Sequence, residues 1–177
     1  MDKFLKYLEW ALRHEGGFQA DARDPGNANG GATNYGITQR VYNDYLAASG
    51  KKPQSVAAIT RREVEAIYRV KYWLAIRGDE LPVGWDYAIF DFGINSGPKR
   101  AIRYAQQVVG VEVDGVIGPA TIRALREAPR EALDKYLNER LSFLKSLPHW
   151  KDFGKGWGRR VSDVGEKMEI LLPRDKK

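Results

Sequence analysis

"ALRHEGGFQADARDPGNANGGATNYGITQ", residues 11–39, begins in helical register, meets two glycines directly after Glu15, and then turns rich in Gly and Asn. Upstream, Phe4, Leu5, Leu8, Ala11 and Leu12 recur at the spacing of one buried stripe, so a first helix is expected over residues 2–15. Gly16 and Gly17 read as the positive-φ positions that close it, which puts Glu15 in its last turn. Beyond Phe18 the turn formers Asp21, Asp24, Pro25, Gly26, Asn27, Asn29, Gly30 and Gly31 lead into Ala-Thr-Asn-Tyr-Gly-Ile-Thr, residues 32–38. That pattern predicts a small irregular hairpin.

The rest of the chain reads as helices. Thr38 is a candidate N-cap for a helix carrying Val41, Tyr42, Tyr45 and Leu46, and Thr60 with Glu63 forms a capping box that opens a helix through Ile67, Tyr68 and Trp73. The apolar run WDYAIFDFGINSG, residues 85–97, encloses Asp91 and predicts a buried central helix ending near Gly97. Further helices are expected over residues 98–109, 120–127 and 130–147, with Pro119 at the first position of the second of these. The glycines of PHWKDFGKGWGRRVSDVG, residues 148–165, predict a loop before a last helix. Within it, Trp150 and Trp157 are expected to pack, and Arg159 and Arg160 to form an exposed basic patch.

Composition narrows the chemistry. With 177 residues, 43% hydrophobic and 29% charged, the chain has the balance of a folded domain, and no apolar run approaches the ~20 residues that span a bilayer. The charge-interleaved start MDKFLKYLEWALRHEGG is unlike a signal peptide, and no stable membrane insertion is expected. Without cysteine there is neither a disulfide nor a thiolate site. The net charge of +6 calls for a polyanionic partner, whether nucleic acid, anionic membrane or cell wall. No nucleic-acid recognition module is visible, so nucleic acid is not the expected partner.

His14-Glu15 opens like the zinc motif HExxH, but Phe18 stands where the second histidine belongs and the chain holds only one other, His149. No metal or other cofactor is expected. No serine sits in a GxSxG elbow either, which leaves the carboxylates. The negative end of a helix favours the protonated form of a carboxyl group, as a general acid requires. Asp24 follows across a glycine-rich turn that can fold it back to face Glu15, and Asp21 is a nearer substitute. Glycoside hydrolysis uses such a pair, one carboxyl group as acid and the other as base, nucleophile or stabiliser.

Residues 15–38, EGGFQADARDPGNANGGATNYGIT, resemble the catalytic motif of glycoside hydrolase family 108, lysozyme-like muramidases of phage and prophage endolysins. Residues 91–125, DFGINSGPKRAIRYAQQVVGVEVDGVIGPATIRAL, resemble that family's C-terminal peptidoglycan-binding region. The resemblance implies a mainly α, lysozyme-like fold, with a catalytic region over residues 1–90 and a helical peptidoglycan-binding region over 91–177. It maps the general acid onto Glu15. By analogy with lysozyme-like hairpins, Asp24 is the preferred second group, with Thr33 and Thr38 as hydroxyls that position water or sugar.

The implied partner is bacterial peptidoglycan, cut between N-acetylmuramic acid and N-acetylglucosamine by a monomer. The implied route is synthesis in the host cytoplasm followed by holin-dependent release. A lytic transglycosylase and a non-catalytic wall-binding protein are the alternatives. An extended sugar strand needs aromatic platforms and amides, and Tyr35, Asn34, Asn95 and Ser96 are the candidates for the cleft. The resemblance adds a second contact surface at Gln106, Asp114, Gly115 and Ile117.

Overall fold

A computed structural model describes residues 2–20 and 31–172. Asp21 and Asp24 therefore lie outside the described residues. The fold is mainly helical, with one small antiparallel sheet following the first helix, as expected. The chain divides into two compact units, residues 1–71 and 72–177. The helix Trp85–Ser96 runs through residues 90 and 91 without a break.

In the first unit α1 spans Lys3–Leu12, with the Asp2 carboxylate capping its start by accepting from the Phe4 N–H at 3.0 Å. Its buried stripe of Phe4, Tyr7, Leu8 and Ala11 faces the core. Strands β1, Thr33–Asn34, and β2, Ile37–Thr38, pair in the register Thr33↔Thr38 and Asn34↔Ile37. Helix α2, Gln39–Ala48, starts on the Thr38 cap and buries Tyr42 and Leu46. Helix α3, Arg61–Tyr68, buries Val64, Ile67 and Tyr68 and continues as a wider π-turn, Arg69–Trp73.

The capping box that opens α3 is built as its spacing predicts. The Glu63 carboxylate accepts from the Thr60 N–H at 3.0 Å, from Lys51 Nζ at 3.0 Å and from the Tyr42 hydroxyl at 3.0 Å. The Thr60 N–H does most to hold the Glu63 carboxyl down at about 2, against the opposing effect of burial, with Lys51 assisting. Unfolded glutamate titrates near 4.3. The box is therefore at full strength above that range and is lost as pH falls through about 2. Glu63→Gln is expected to destabilise the chain by about 1–3 kcal/mol at neutral pH. In urea titrations its deficit should shrink as the pH is lowered through that window.

In the second unit α4, Trp85–Ser96, is buried along most of its length and ends at Gly97. It packs against α5, Pro98–Val109, and α7, Arg130–Ser146, with α6, Pro119–Glu127, between them in sequence. Phe92 anchors this core, with ring centroids 5.9 Å from Tyr136 and 5.5 Å from Tyr104.

The last helix corrects the expectation of a loop. Residues Trp150–Leu171 form one helix, α8, straight through FGKGWGRR. Gly154 is buried beneath the Trp150 indole, where a Cβ would come within 2.6 Å of the ring. The Trp157 ring lies tilted against Trp150 and stacked on Phe153, at centroid distances of 6.2 and 5.8 Å. Packing on a side-chain-free surface offsets glycine's low helix propensity, which costs about 1 kcal/mol per residue. Arg159 is exposed, but Arg160 is buried on Asp91, so the two do not form one basic patch.

Candidate active site

Glu15 is placed by the way α1 ends. The helix stops at Leu12, and the His14 and Glu15 N–H groups then bond back to Ala11 and Leu12 at 3.0 and 3.2 Å, a tighter turn than the α-helix. Glu15 thus lies three residues past the helix and not in its last turn. Neither Gly16 nor Gly17 has a positive φ. A helix dipole acts mainly within the terminal turn, so the surroundings of Glu15 are set by what folds against it.

What folds against it is the hairpin. Gln19 exchanges two 2.8 Å backbone hydrogen bonds with Thr33, which brings the segment after Glu15 alongside β1. The two residues between the strands, Tyr35 and Gly36, have φ of 51° and 70°. Positive φ at both central positions is the type I′ pattern, whose twist suits a two-residue hairpin. Gly36 fills this role without strain, whereas Tyr35 sits in a region that costs an L-residue roughly 1–2 kcal/mol. The Tyr68 hydroxyl donates to the Tyr35 carbonyl at 2.7 Å and fastens the turn to α3.

Gly36 also determines how close the acid comes. A Cβ on this residue would stand 2.6 Å from Oε2 of Glu15 and 2.9 Å from the Tyr68 hydroxyl oxygen. The half-buried Glu15 carboxylate and the Tyr68 hydroxyl therefore converge on the bare face of one glycine, the residue that follows the exposed Tyr35. Gly36→Ala would both strain the turn and displace the carboxylate. With Glu15 as the acid that the resemblance implies, turnover would fall roughly 100-fold, the effect of misplacing a catalytic group by about 1 Å. The same variant should lose about 1 kcal/mol of stability or somewhat more. Steady-state rates and urea unfolding measure the two separately.

The remaining expected residues of the first unit take mixed positions. Asn34 is buried, its side-chain N–H donating to the Val56 carbonyl at 3.2 Å, so it pins the hairpin to the chain beyond α2. The Thr38 hydroxyl accepts from the Val41 N–H at 3.3 Å as a helix cap. Thr33 is half-buried, its backbone engaged by Gln19. Tyr35 is the exposed aromatic of the group, at 41% exposure. Gly36 and Tyr68 are the positions that sequence reasoning did not single out. The Asn-Tyr-Gly turn carried a signal for Gly36, whereas Tyr68 reads only as part of an apolar helix face.

In the second unit Asn95 and Ser96 are half-buried at the end of α4, with the Ser96 hydroxyl donating to Asn95 Oδ1 at 3.2 Å. Gln106 is buried. Its amide N–H groups donate to Asp114 Oδ1 at 2.7 Å and to the Val116 carbonyl at 3.0 Å, and its oxygen accepts from the Gly115 N–H at 2.8 Å. Ile117 is buried as well. Gln106, Gly115 and Ile117 thus hold the 111–118 loop from inside, while Asp114, Val113 and Val116 face outward. The periodicity that placed Gln106 on α5 gives no indication that its amide organises a loop.

Asp91 was visible in sequence only as an acid inside an apolar run. It is fully buried between Arg160, whose Nε donates at 3.0 Å, and Arg140, whose Nη2 stands 2.7 Å away as an ion pair. The guanidinium of Arg140 also lies 5.1 Å from the centre of the Phe92 ring.

Comparison with known proteins places this geometry. Residues 8–97, which include Glu15, Gly36 and Tyr68, match the family described as Glycosyl hydrolase 108. The solved structure of Brucella abortus SagA is similar, with a TM-score of 0.81 and 39% identity over 98% of this chain and 97% of that one. No curated protein matches the chain. The lysozyme-like order of helix, glutamate and hairpin thus falls inside a family match covering just over half of the sequence, and the chain belongs to glycosyl hydrolase family 108.

Proposed function

We propose that the protein hydrolyses the β-1,4 bond between N-acetylmuramic acid and N-acetylglucosamine in bacterial peptidoglycan, with Glu15 as the general acid. The convergence of Glu15 and Tyr68 on Gly36 supports this reading, because it holds one carboxyl group against the tight turn of the hairpin, in the region matched to a glycosyl hydrolase family. The Glu15 proton goes to the glycosidic oxygen as the C1–O bond breaks. The departing sugar leaves with a free hydroxyl, and the positive charge that develops at C1 is taken up by a water molecule. That water must lose a proton, and Asp24, outside the described residues, is the proposed group to receive it or to stabilise the charge. Thr33, Tyr35 and Thr38 are the proposed sugar contacts.

In the same reading the protein is a monomeric endolysin of phage or prophage origin that reaches the wall through a separate holin. No helix among the described residues is long and apolar enough to cross a membrane. The products test the reaction. Purified peptidoglycan digested by the enzyme should yield fragments ending in reducing muramic acid. Fragments ending predominantly in anhydromuramic acid, lighter by one water, would assign the protein to the lytic transglycosylases instead.

A further inference from the structure

The core-facing stripe of α8 outruns the packing that covers it. Arg160, Val161, Val164 and Met168 are buried along the helix, and one and two turns earlier the same face carries Trp157 and Phe153. Trp150 and Trp157 are only half-buried and Phe153 is 56% exposed, so the stripe comes to the surface toward the turn between α7 and α8. The exposed His149 extends it, with ring centroids 6.3 Å from Phe153. At Gly156 a Cβ would meet nothing within 4 Å, and its φ is not positive. Neither packing nor backbone demands glycine there, although glycine weakens a helix interior. Three residues from Phe153, it leaves the flank of that ring uncovered.

The charge around these rings is strongly of one sign. Residues 145–159 hold four exposed cations, Lys145, Lys151, Lys155 and Arg159, against one acid, Asp152, whose carboxylate lies 3.9 Å from His149. Lys151, Lys155 and Arg159 recur every four residues, so they form a second stripe along α8, apart from the aromatic one. The first turns of α8 are therefore amphipathic, with aromatic rings on one face and cations on the other. Charge complementarity decides what such a face fits. The rings call for an apolar phase and the cations for an anionic surface above it, and a bilayer with anionic headgroups supplies both at the depth an interfacial helix reaches. Tryptophan, with an apolar body and a polar N–H, suits that boundary.

We propose that the start of α8 docks reversibly on the surface of an anionic lipid bilayer, with Phe153 and the exposed edges of Trp150 and Trp157 among the headgroups and the lysines beside the lipid charge. Docking of this kind is peripheral, in keeping with the absence, among the described residues, of any helix long and apolar enough to cross a membrane. One short aromatic patch with a few cations gives weak, salt-sensitive attachment, so the protein exchanges between the bilayer and its surroundings. The inference is independent of the hydrolase reading, because it concerns a surface of the second unit and no step of the reaction.

The test is co-sedimentation of the full chain with vesicles of phosphatidylcholine alone and with vesicles of equal parts phosphatidylcholine and phosphatidylglycerol. Binding to the mixed vesicles should be about tenfold tighter or more, and Lys151→Gln/Lys155→Gln should remove about tenfold of it, since each cation near an anionic surface contributes roughly fivefold. Phe153→Ala should weaken binding about fivefold or more through lost apolar burial. Lys52→Gln/Arg123→Gln takes the same charge from exposed sites elsewhere and should change little. On the unsubstituted protein, mixed vesicles should slow amide hydrogen exchange over residues 147–153, a readout that requires no variant to fold. Equal binding to both kinds of vesicle, equal loss in the control pair, or slowed exchange only outside that segment would overturn the proposal. So would a Phe153→Ala protein that keeps full vesicle binding but loses its hold on purified peptidoglycan, which would assign the rings to glycan. The vesicles contain no peptidoglycan, so failure here leaves the hydrolase reading standing.

Discussion

Asp91→Asn is expected to destabilise the protein by about 3–5 kcal/mol, the cost of removing one partner from a buried ion pair. Asp91 is fully buried with Arg140 and Arg160, and it is the carboxylate that pairs with both. Its loss removes a buried counter-charge from both guanidinium groups, in a place where Nε and Nη1 of Arg140 have no hydrogen-bond partner among the described residues. Burial alone would push the Asp91 carboxyl up, but Arg160 and Arg140 outweigh it and hold the group at about 2. Unfolded aspartate titrates near 3.9, so the contribution of the native carboxylate is complete above that value and is lost as pH falls through about 2. The Asp91→Asn deficit should be level from about pH 8 to 5 and should close only in strong acid. Urea unfolding of the full chain, with midpoint and slope recorded at each pH, measures this. Stability equal to wild type at neutral pH would mean that the two arginines find other compensation.

The parts of the fold that were legible in the sequence are those decided within a few residues. The Thr38 cap, the Thr60–Glu63 box, the end of α4 at Gly97 and the Pro119 start each depend on a side chain and a backbone group close in sequence. The Tyr35-Gly36 turn belongs to the same class. What escaped was decided at long range. Arg160 looked solvent-facing because its partner lies 69 residues away. Residues 150–158 looked like a loop because composition reports glycine but not the indole of Trp150 that needs its bare face. Glu15 lies past the end of α1 and not in its last turn, because the helix stops at Leu12 and the chain then turns toward the hairpin, whose Gly36 approaches the carboxylate. Tyr68 was invisible as a site residue because its contact, the Tyr35 carbonyl, is 33 residues upstream and is a backbone atom.

Glu15→Gln should abolish hydrolysis while leaving the fold intact. The amide matches the carboxyl group in size and can still pack beside Gly36, but it has no acidic proton to give to the leaving oxygen. General acid–base transfer contributes on the order of 10²–10⁴ to rate, and an unactivated sugar leaving group makes the upper part of that range the expectation. Glu15 is half-buried outside any helix, so the substitution should cost well under 1 kcal/mol, as surface changes usually do. Loss of activity with no loss of stability separates a chemical role from a structural one, which neither Gly36→Ala nor Asp91→Asn can do. Purified peptidoglycan should therefore be incubated with wild-type and Glu15→Gln protein side by side, new reducing ends counted over time, and unfolding midpoints measured on the same samples. A collapse of the rate at an unchanged midpoint is the predicted outcome; full release of reducing ends by a folded Glu15→Gln protein would contradict the assignment of Glu15 as the acid.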